Sequence, residues 1–174
     1  AAQGDNNARA YLGLMLVTGV AGKTDPQQGL FWLGQAAQAN NPLAETEIAH
    51  MALVGLYTGK PDPTDAINWA QKAAQVMVTK ADSDLDVFVG ALANTVLIIT
   101  DGDRGDPLFK AFFPNQPPSI FVRTVLGPEL VAAHQWLGWL QSSPHPALVA
   151  AGAQLVPLLD AGDQAEATRD SADA

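Results

Sequence analysis

Two stretches decide the fold: DPQQGLFWLGQAA at residues 25–37 and DPTDAINWAQKAA at residues 62–74. Asp25-Pro26 recurs as Asp62-Pro63, Trp32 as Trp69, Ala36-Ala37 as Ala73-Ala74 and Gln38 as Gln75, each 37 residues on. Self-similarity at one fixed spacing is the mark of a repeat architecture. Working outward, Ala8, Leu12, Gly13, Leu16 and Gly19 map at an offset of 36 onto Ala44, Ile48, Ala49, Ala52 and Gly55. One residue has been inserted between the two blocks, and an insertion belongs in a loop.

Each block has a helical period. Ala8, Leu12, Met15 and Leu16 follow the i, i+4, i+7, i+8 spacing of one buried stripe, which predicts a helix A over residues 6–18. Asp25 and Asp62 then stand as N-caps, and Pro26 and Pro63 occupy the first helical position, where no N–H is needed. Helix B begins there twice. Inside it Trp32 or Trp69 precedes an Ala-Ala pair, a bulky plug beside a place where backbones can approach, so both indoles are expected to be mostly buried. The turn Asn40-Asn41-Pro42 opens the second helix A. The unit is helix, loop, helix, tight turn, with an apolar face that needs a neighbour to cover it.

The pattern Ala8, Leu12-Gly13, Gly19, Asp25, Trp32, Ala36-Ala37, Ala44 resembles the Sel1-like repeat, a relative of the tetratricopeptide repeat with a period of roughly 36 residues. The resemblance covers residues 5–80. It departs at Leu16, where the family usually has Tyr, at Ala49, which replaces the helix-A Gly, and at Leu56-Tyr57-Thr58-Gly59-Lys60, which lacks the usual Gly-x-Gly-Val turn. It implies an all-α fold, a short right-handed α-solenoid of Sel1/TPR-like helical hairpins. It also implies a non-enzymatic scaffold, in which helix A lines a concave face.

Carrying the register forward by 37 residues sends Ala44 to Ala81, Ile48 to Leu85 and Ala52 to Val89, a third helix A over 82–100. The third Asp-Pro arrives late, at Asp106-Pro107, and Pro114, Pro117 and Pro118 stop its helix. Repeat 3 is thus degenerate, and residues 101–119 are expected to pack down on Phe109, Phe112 and Phe113. Beyond it, helices from Gly127-Pro128 to Gln141 and over 146–160 read as a C-terminal two-helix cap. In the first, Leu130, Ala133, His134, Leu137 and Leu140 form one stripe and Trp136 and Trp139 point the other way, with His134 expected as a core histidine. The expected organisation is one domain over 1–160, with repeat 1 at 5–41, repeat 2 at 42–80, degenerate repeat 3 at 81–118 and capping helices at 119–160. Residues 161–174 follow as an acidic, flexible tail.

The chain has 174 residues, 48% apolar and 16% charged, against roughly 25% charged in ordinary domains. Its net charge of −9 makes nucleic acid and anionic lipid improbable partners. Without cysteine there are no disulfides, thiolate nucleophiles or Cys-type zinc sites. The longest apolar run, Val87 to Ile99, holds Asn94 and is too short to span a bilayer. A start of Ala1-Ala2-Gln3-Gly4 suits a mature end after a small-residue cleavage site, or a trimmed chain; the expectation is a periplasmic or secreted bacterial protein.

The signatures of catalysis and metal binding are absent. His50, His134 and His145 form no ligand-spaced pair. The run Asp101 to Asp106 places Asp106 where a calcium loop needs Gly and Phe112 where it needs Glu. No nucleophile elbow or phosphate loop occurs. Glu45 and Glu47, and Asp82, Asp84 and Asp86, sit at i, i+2 and read as solvated faces. No enzyme activity, metal or cofactor is expected.

The face of helix A opposite the predicted stripe carries Ala10, Leu14 and Val17 in repeat 1, Thr46, His50 and Leu53 in repeat 2, and Ser83, Val87 and Gly90 in repeat 3. Leu14, Val17, Leu53 and Val87 would form an apolar patch of the kind that marks an interaction site. Two readings follow. In one, this face receives a segment of a protein or peptide partner, with Arg9, Tyr11, Glu45, Glu47 and His50 as its polar rim. In the other, the C-terminal helices fold across it and a cavity holds an apolar small molecule or lipid.

Overall fold

In a computed structural model, which describes residues 5–20, 22–56, 58–114, 118 and 126–172, the described residues form seven helices and no strand. They are α1 (Asn6–Thr18), α2 (Pro26–Ala37), α3 (Pro42–Val54), α4 (Pro63–Ile99), α5 (Pro107–Phe112), α6 (Leu126–Gln141) and α7 (Pro146–Ala172). The fold is all-α and built on helical repeats. Expectations for Ala1 to Gly4, Tyr57, Pro117, Ser119 and the start of the cap at 119–125 fall outside the described residues.

The chain divides into two compact units, residues 1–77 with 168–174, and residues 78–167. In the first, local chemistry sets the starts of α1, α2 and α4 and the ends of α1 and α3. Asp5 accepts hydrogen bonds from the Asn7 and Ala8 amides at 2.9 and 3.2 Å. Asp25 accepts from the Gln28 amide at 3.0 Å and Asp62 from the Asp65 amide at 3.0 Å, the two N-caps the repeat predicts. α1 and α3 both end on a left-handed glycine, Gly19 at φ 75° and Gly55 at φ 74°. The loop after each is closed by one recurring bond, from the Asp25 amide to Leu16 O at 2.9 Å and from the Asp62 amide to Ala52 O at 2.8 Å. Leu16 and Ala52 are 36 residues apart and Asp25 and Asp62 are 37 apart, so the inserted residue lies in this loop, which closes the same way in both repeats.

The core of this unit gathers Ala10 of α1, Leu33, Ala36 and Ala37 of α2, and Ala44, Ile48 and Met51 of α3, with Val17, Leu30, Leu43 and Trp69 packed against it. α1 meets α2 through glycine. A Cβ on Gly13 would lie 2.7 Å from Leu33 Cγ and 2.9 Å from Gly29 O, and one on Gly29 would lie 2.9 Å from Gly13 O. This corrects the predicted stripe of α1. Its buried residues are Ala10 and Gly13, while Ala8, Leu12 and Leu16 are half-buried and Met15 is 39% exposed. Close approach of the two backbones, rather than side-chain size, selects the inward face. Trp32 and Trp69 are half-buried rather than mostly buried; the plug beside the Ala-Ala pair is Leu33, at 0% exposure.

In the second unit, Val78, Ala81, Leu85, Phe88, Val89, Leu92, Ala93 and Val96 form the buried stripe of α4. The segments expected as helix B of repeat 2 and as a third helix A are therefore one continuous helix of 37 residues, with no turn at the expected 80/81 boundary. Phe109, Phe112 and Phe113 are buried as expected, with Phe112 edge-on to Trp136 and Trp139 at 6.1 Å between centroids. Trp136 is buried at 3% exposure and Trp139 is 51% exposed, so the two do not share an outward face. His134 is not a core residue: its Nε2 lies 3.0 Å from Asp163 Oδ1, with both side chains about half exposed. The expected flexible tail is helical to Ala172 and buries Gly162 and Ala165. A Cβ on Gly162 would lie 2.6 Å from Leu130 Cδ1, so here too a small residue makes the packing.

Candidate functional site

The outward surface of the helix-A layer in the first unit is built chiefly by α3. Thr46, His50, Leu53 and Val54 are exposed, the two apolar residues at 53% and 48%. Asn41 sets the orientation of α3: its Oδ1 accepts the Ala44 amide at 3.1 Å and its Nδ2 donates to Asn7 Oδ1 at 2.7 Å, tying the start of α3 to the start of α1. Ala44, Ile48 and Met51 then point into the core, and Thr46, His50 and Leu53 point away from it.

On α1 the expected face divides. Ala10 is fully buried and Val17 packs against the core, so neither belongs to an outward stripe. The rotation that brings Gly13 onto Gly29 turns both inward. Leu14 and Arg9 are half-buried and Tyr11 is 58% exposed. Glu47 is half-buried beside Thr46. Val87 is 72% exposed, Ser83 is exposed and Gly90 half-buried on the part of α4 that belongs to the second unit.

Glu45 is a correction. It is fully buried, with Oε1 2.9 Å from Lys72 Nζ, and so forms no part of a solvated rim. Lys72 Nζ also donates to Ala37 O at 3.2 Å, at the carbonyl end of α2, and stands 5.0 Å from the Trp69 ring centroid. One ammonium thereby ties α2, α3 and α4 together, at the helix end where cations are favoured and over an aromatic face. Nothing at Glu45 itself signals this. The signal is a lone Lys three residues after Trp69, in a segment with few other cations.

The acidic residues of α4 also differ from expectation. Read at i, i+2 they face apart, but Asp82 and Asp86 are i, i+4 and share a face. The Oδ1 of each is buried without a hydrogen-bond partner. Burial, with the Asp82 charge adding to it, raises the Asp86 pKa above its ordinary value. Asp84 instead pairs with Lys80 at 2.6 Å. In the Asp101–Asp106 run, Asp103 Oδ1 accepts the Gly105 amide at 2.7 Å and Asp106 caps α5 through the Leu108 amide at 2.7 Å. These carboxylates are turn and cap acceptors. Among the described residues no three His, Asp or Glu side chains gather as metal ligands would. No helix among them is long and apolar enough to cross a membrane. The second unit has an open groove of about 250 Å³ between Phe112, Trp139, Pro144 and Leu148.

Residues 7–41 and 42–75 each match the family model described as Sel1 repeat. Two consecutive Sel1 repeats thus occupy residues 7–75. Sel1 repeats are generally protein–protein interaction modules, typically without enzymatic activity. No curated protein and no solved structure matches the chain.

Proposed function

We propose that this protein is a non-enzymatic interaction module that captures a segment of a partner protein on the helix-A face of its repeats, centred on His50 and Leu53. The observation that carries the reading is the exposure of Leu53 and Val54 beside His50 and Thr46, on a helix whose other side is fully committed to the core. An apolar anchor with a polar rim is the usual source of affinity in such a surface. Leu14 and Tyr11 of α1, the counterparts of His50 and Glu47, and Glu47 of α3 extend this face.

The test is capture of partners from the lysate of the native host by wild type, Leu53→Asp and His50→Ala, identified by mass spectrometry. Both variants leave the helical circular dichroism and unfolding midpoint within about 0.5 kcal/mol of wild type, as exposed substitutions do, and lose the specific partner. Retention of the same partner by Leu53→Asp overturns the assignment. Val87→Asp, in the second unit, reports separately on that half of α4.

A further inference from the structure

The part of α4 in the second unit covers one side and leaves the other bare. Opposite its buried stripe, Ser83, Val87, Ala91, Asn94 and Ile98 lie within about 40° of one line along the helix, at about 100° per residue. All five are exposed, Val87 to 72% and Ile98 to 79%. They make a stripe about 22 Å long that holds no charged side chain. Gly90 borders it, and a Cβ there would meet nothing within 4 Å, so no contact among the described residues calls for glycine inside this helix. The stripe also reads alike from either end. Val87 and Ile98 stand equally far from its midpoint between Leu92 and Ala93, and so do Ala91 and Asn94.

We propose that this stripe pairs α4 antiparallel with α4 of a second copy of the chain, Val87 packing on Ile98 at both ends and Ala91 facing Asn94 at the centre. A two-fold interface requires such a match, because residue i then meets j while j meets i. Gly90 and Ala91 add little bulk near the crossing, so the two backbones can approach. Asn94 is a polar residue in an otherwise apolar seam, the kind that fixes register between paired helices. Charge selects the direction. Parallel copies would set Asp101, Asp103 and Asp106 against themselves, whereas antiparallel copies set them beside Lys80 and Asp84, a pair that neutralises itself. One helix per copy makes a small interface, under about 1,200 Å², so the pairing is reversible. The inference does not rest on the His50 and Leu53 face, which belongs to the first unit.

The test is sedimentation velocity of the full chain over rising concentration, with Ile98→Asp and Leu53→Asp beside it. Wild type is expected to shift from 18.2 kDa toward twice that mass. Ile98→Asp keeps the helical signal of wild type but moves the transition up about 10-fold or more in concentration, since it brings two unpaired carboxylates into the seam. Leu53→Asp leaves the transition where it is. Because the chain has no cysteine, single ones report the register. Under oxidised glutathione an equal mixture of Val87→Cys and Ile98→Cys forms disulfide-linked dimers. Either variant alone forms few, since like residues then stand about 16 Å apart along the two helices. A wild type that stays at 18.2 kDa up to about 1 mM overturns the proposal and gives the stripe to another protein or to another segment of this one. So does a dimer that Ile98→Asp does not weaken, and so do cysteine variants that cross-link alone as readily as mixed, the mark of a parallel pair.

Discussion

Repeats 1 and 2 share one sequence plan and solve it differently, both inside the hairpin and at its exit. Inside, repeat 1 presses Gly13 against Gly29 under Leu33, where repeat 2 has Ala49, Ala66 and Ala70 at the equivalent positions. At the exit, Asn40 takes φ 54°, the Asn41 amide bonds Ala36 O at 3.2 Å, and Pro42 starts α3. That is a Schellman-type stop followed by a cap and a proline. The counterparts of those three residues are Met77, Val78 and Thr79, none of which tolerates left-handed backbone well, caps a helix through a short carboxamide or lacks an N–H. α4 therefore runs on, and the division between the two compact units falls inside it, between Met77 and Val78. The break between helix B and the next helix A is a property of three residues, and a repeat that loses them becomes a rod.

The largest effects test the inner difference. Leu33→Ala, at a site with no exposure, is expected to cost about 2–5 kcal/mol by cavity formation. Gly13→Ala is expected to cost about 1–3 kcal/mol through overpacking against Leu33, despite alanine's better helix propensity. The double variant installs the Ala/Ala combination of repeat 2 and should cost less than the sum, with a coupling of about 1 kcal/mol or more in urea unfolding. Strict additivity would mean that the Gly13 and Leu33 contact does not decide the packing.

The exit is tested by moving the break. Thr79→Pro places proline inside α4 and is expected to cost about 3 kcal/mol. Adding Met77→Asn and Val78→Asn, which rebuilds the turn of repeat 1, should recover part of that while lowering the helical signal at 222 nm. Conversely, Asn41→Ala removes the α3 cap and the bond to Asn7, for about 1 kcal/mol in the same assay. A triple variant no better than Thr79→Pro would show that the rest of the boundary cannot accept a turn.

What could be read beforehand follows the same division. The repeat, its caps at Asp25 and Asp62, the loop insertion and the buried phenylalanines are set by short-range chemistry, and the residues state it. The orientation of α1 is not, because the period of Ala8, Leu12, Met15 and Leu16 ranks residues by size while Gly13 and Gly29 decide which side can come closest. The helix through Gly162 and Ala165 is not legible for the same reason, since small residues look like tail composition until a partner such as Leu130 is known. Of the outward face, Thr46, His50 and Leu53 were readable from α3, where side-chain size and inward direction agree. Val17 and Ala10 were not, and the burial of Glu45 depends on Lys72, 27 residues away, which no local pattern encodes.

The rod that replaces the missing turn carries the smallest of the expected effects. Asp82 and Asp86 share a face of α4, and Asp86 has its pKa raised, by burial first and by Asp82 second. A carboxyl whose pKa is higher folded than unfolded binds more protons in the folded state, so its stabilising contribution is present at low pH. That contribution is lost as pH rises from the unfolded value of 3.8 through the folded one. Asp86→Asn cannot ionise and escapes this loss. The variant should therefore melt higher than wild type at pH 7, by less than about 4 °C, the shift that about 1 kcal/mol produces in a chain of this length. The gap should close as pH falls through the carboxylate range. Asp82→Asn should give a smaller gap of the same sign, since it removes only the second cause. Thermal melts at pH 7 and at successively lower pH decide it. A gap that stays constant with pH would place the effect in packing and leave Asp86 without an electrostatic role in the rod.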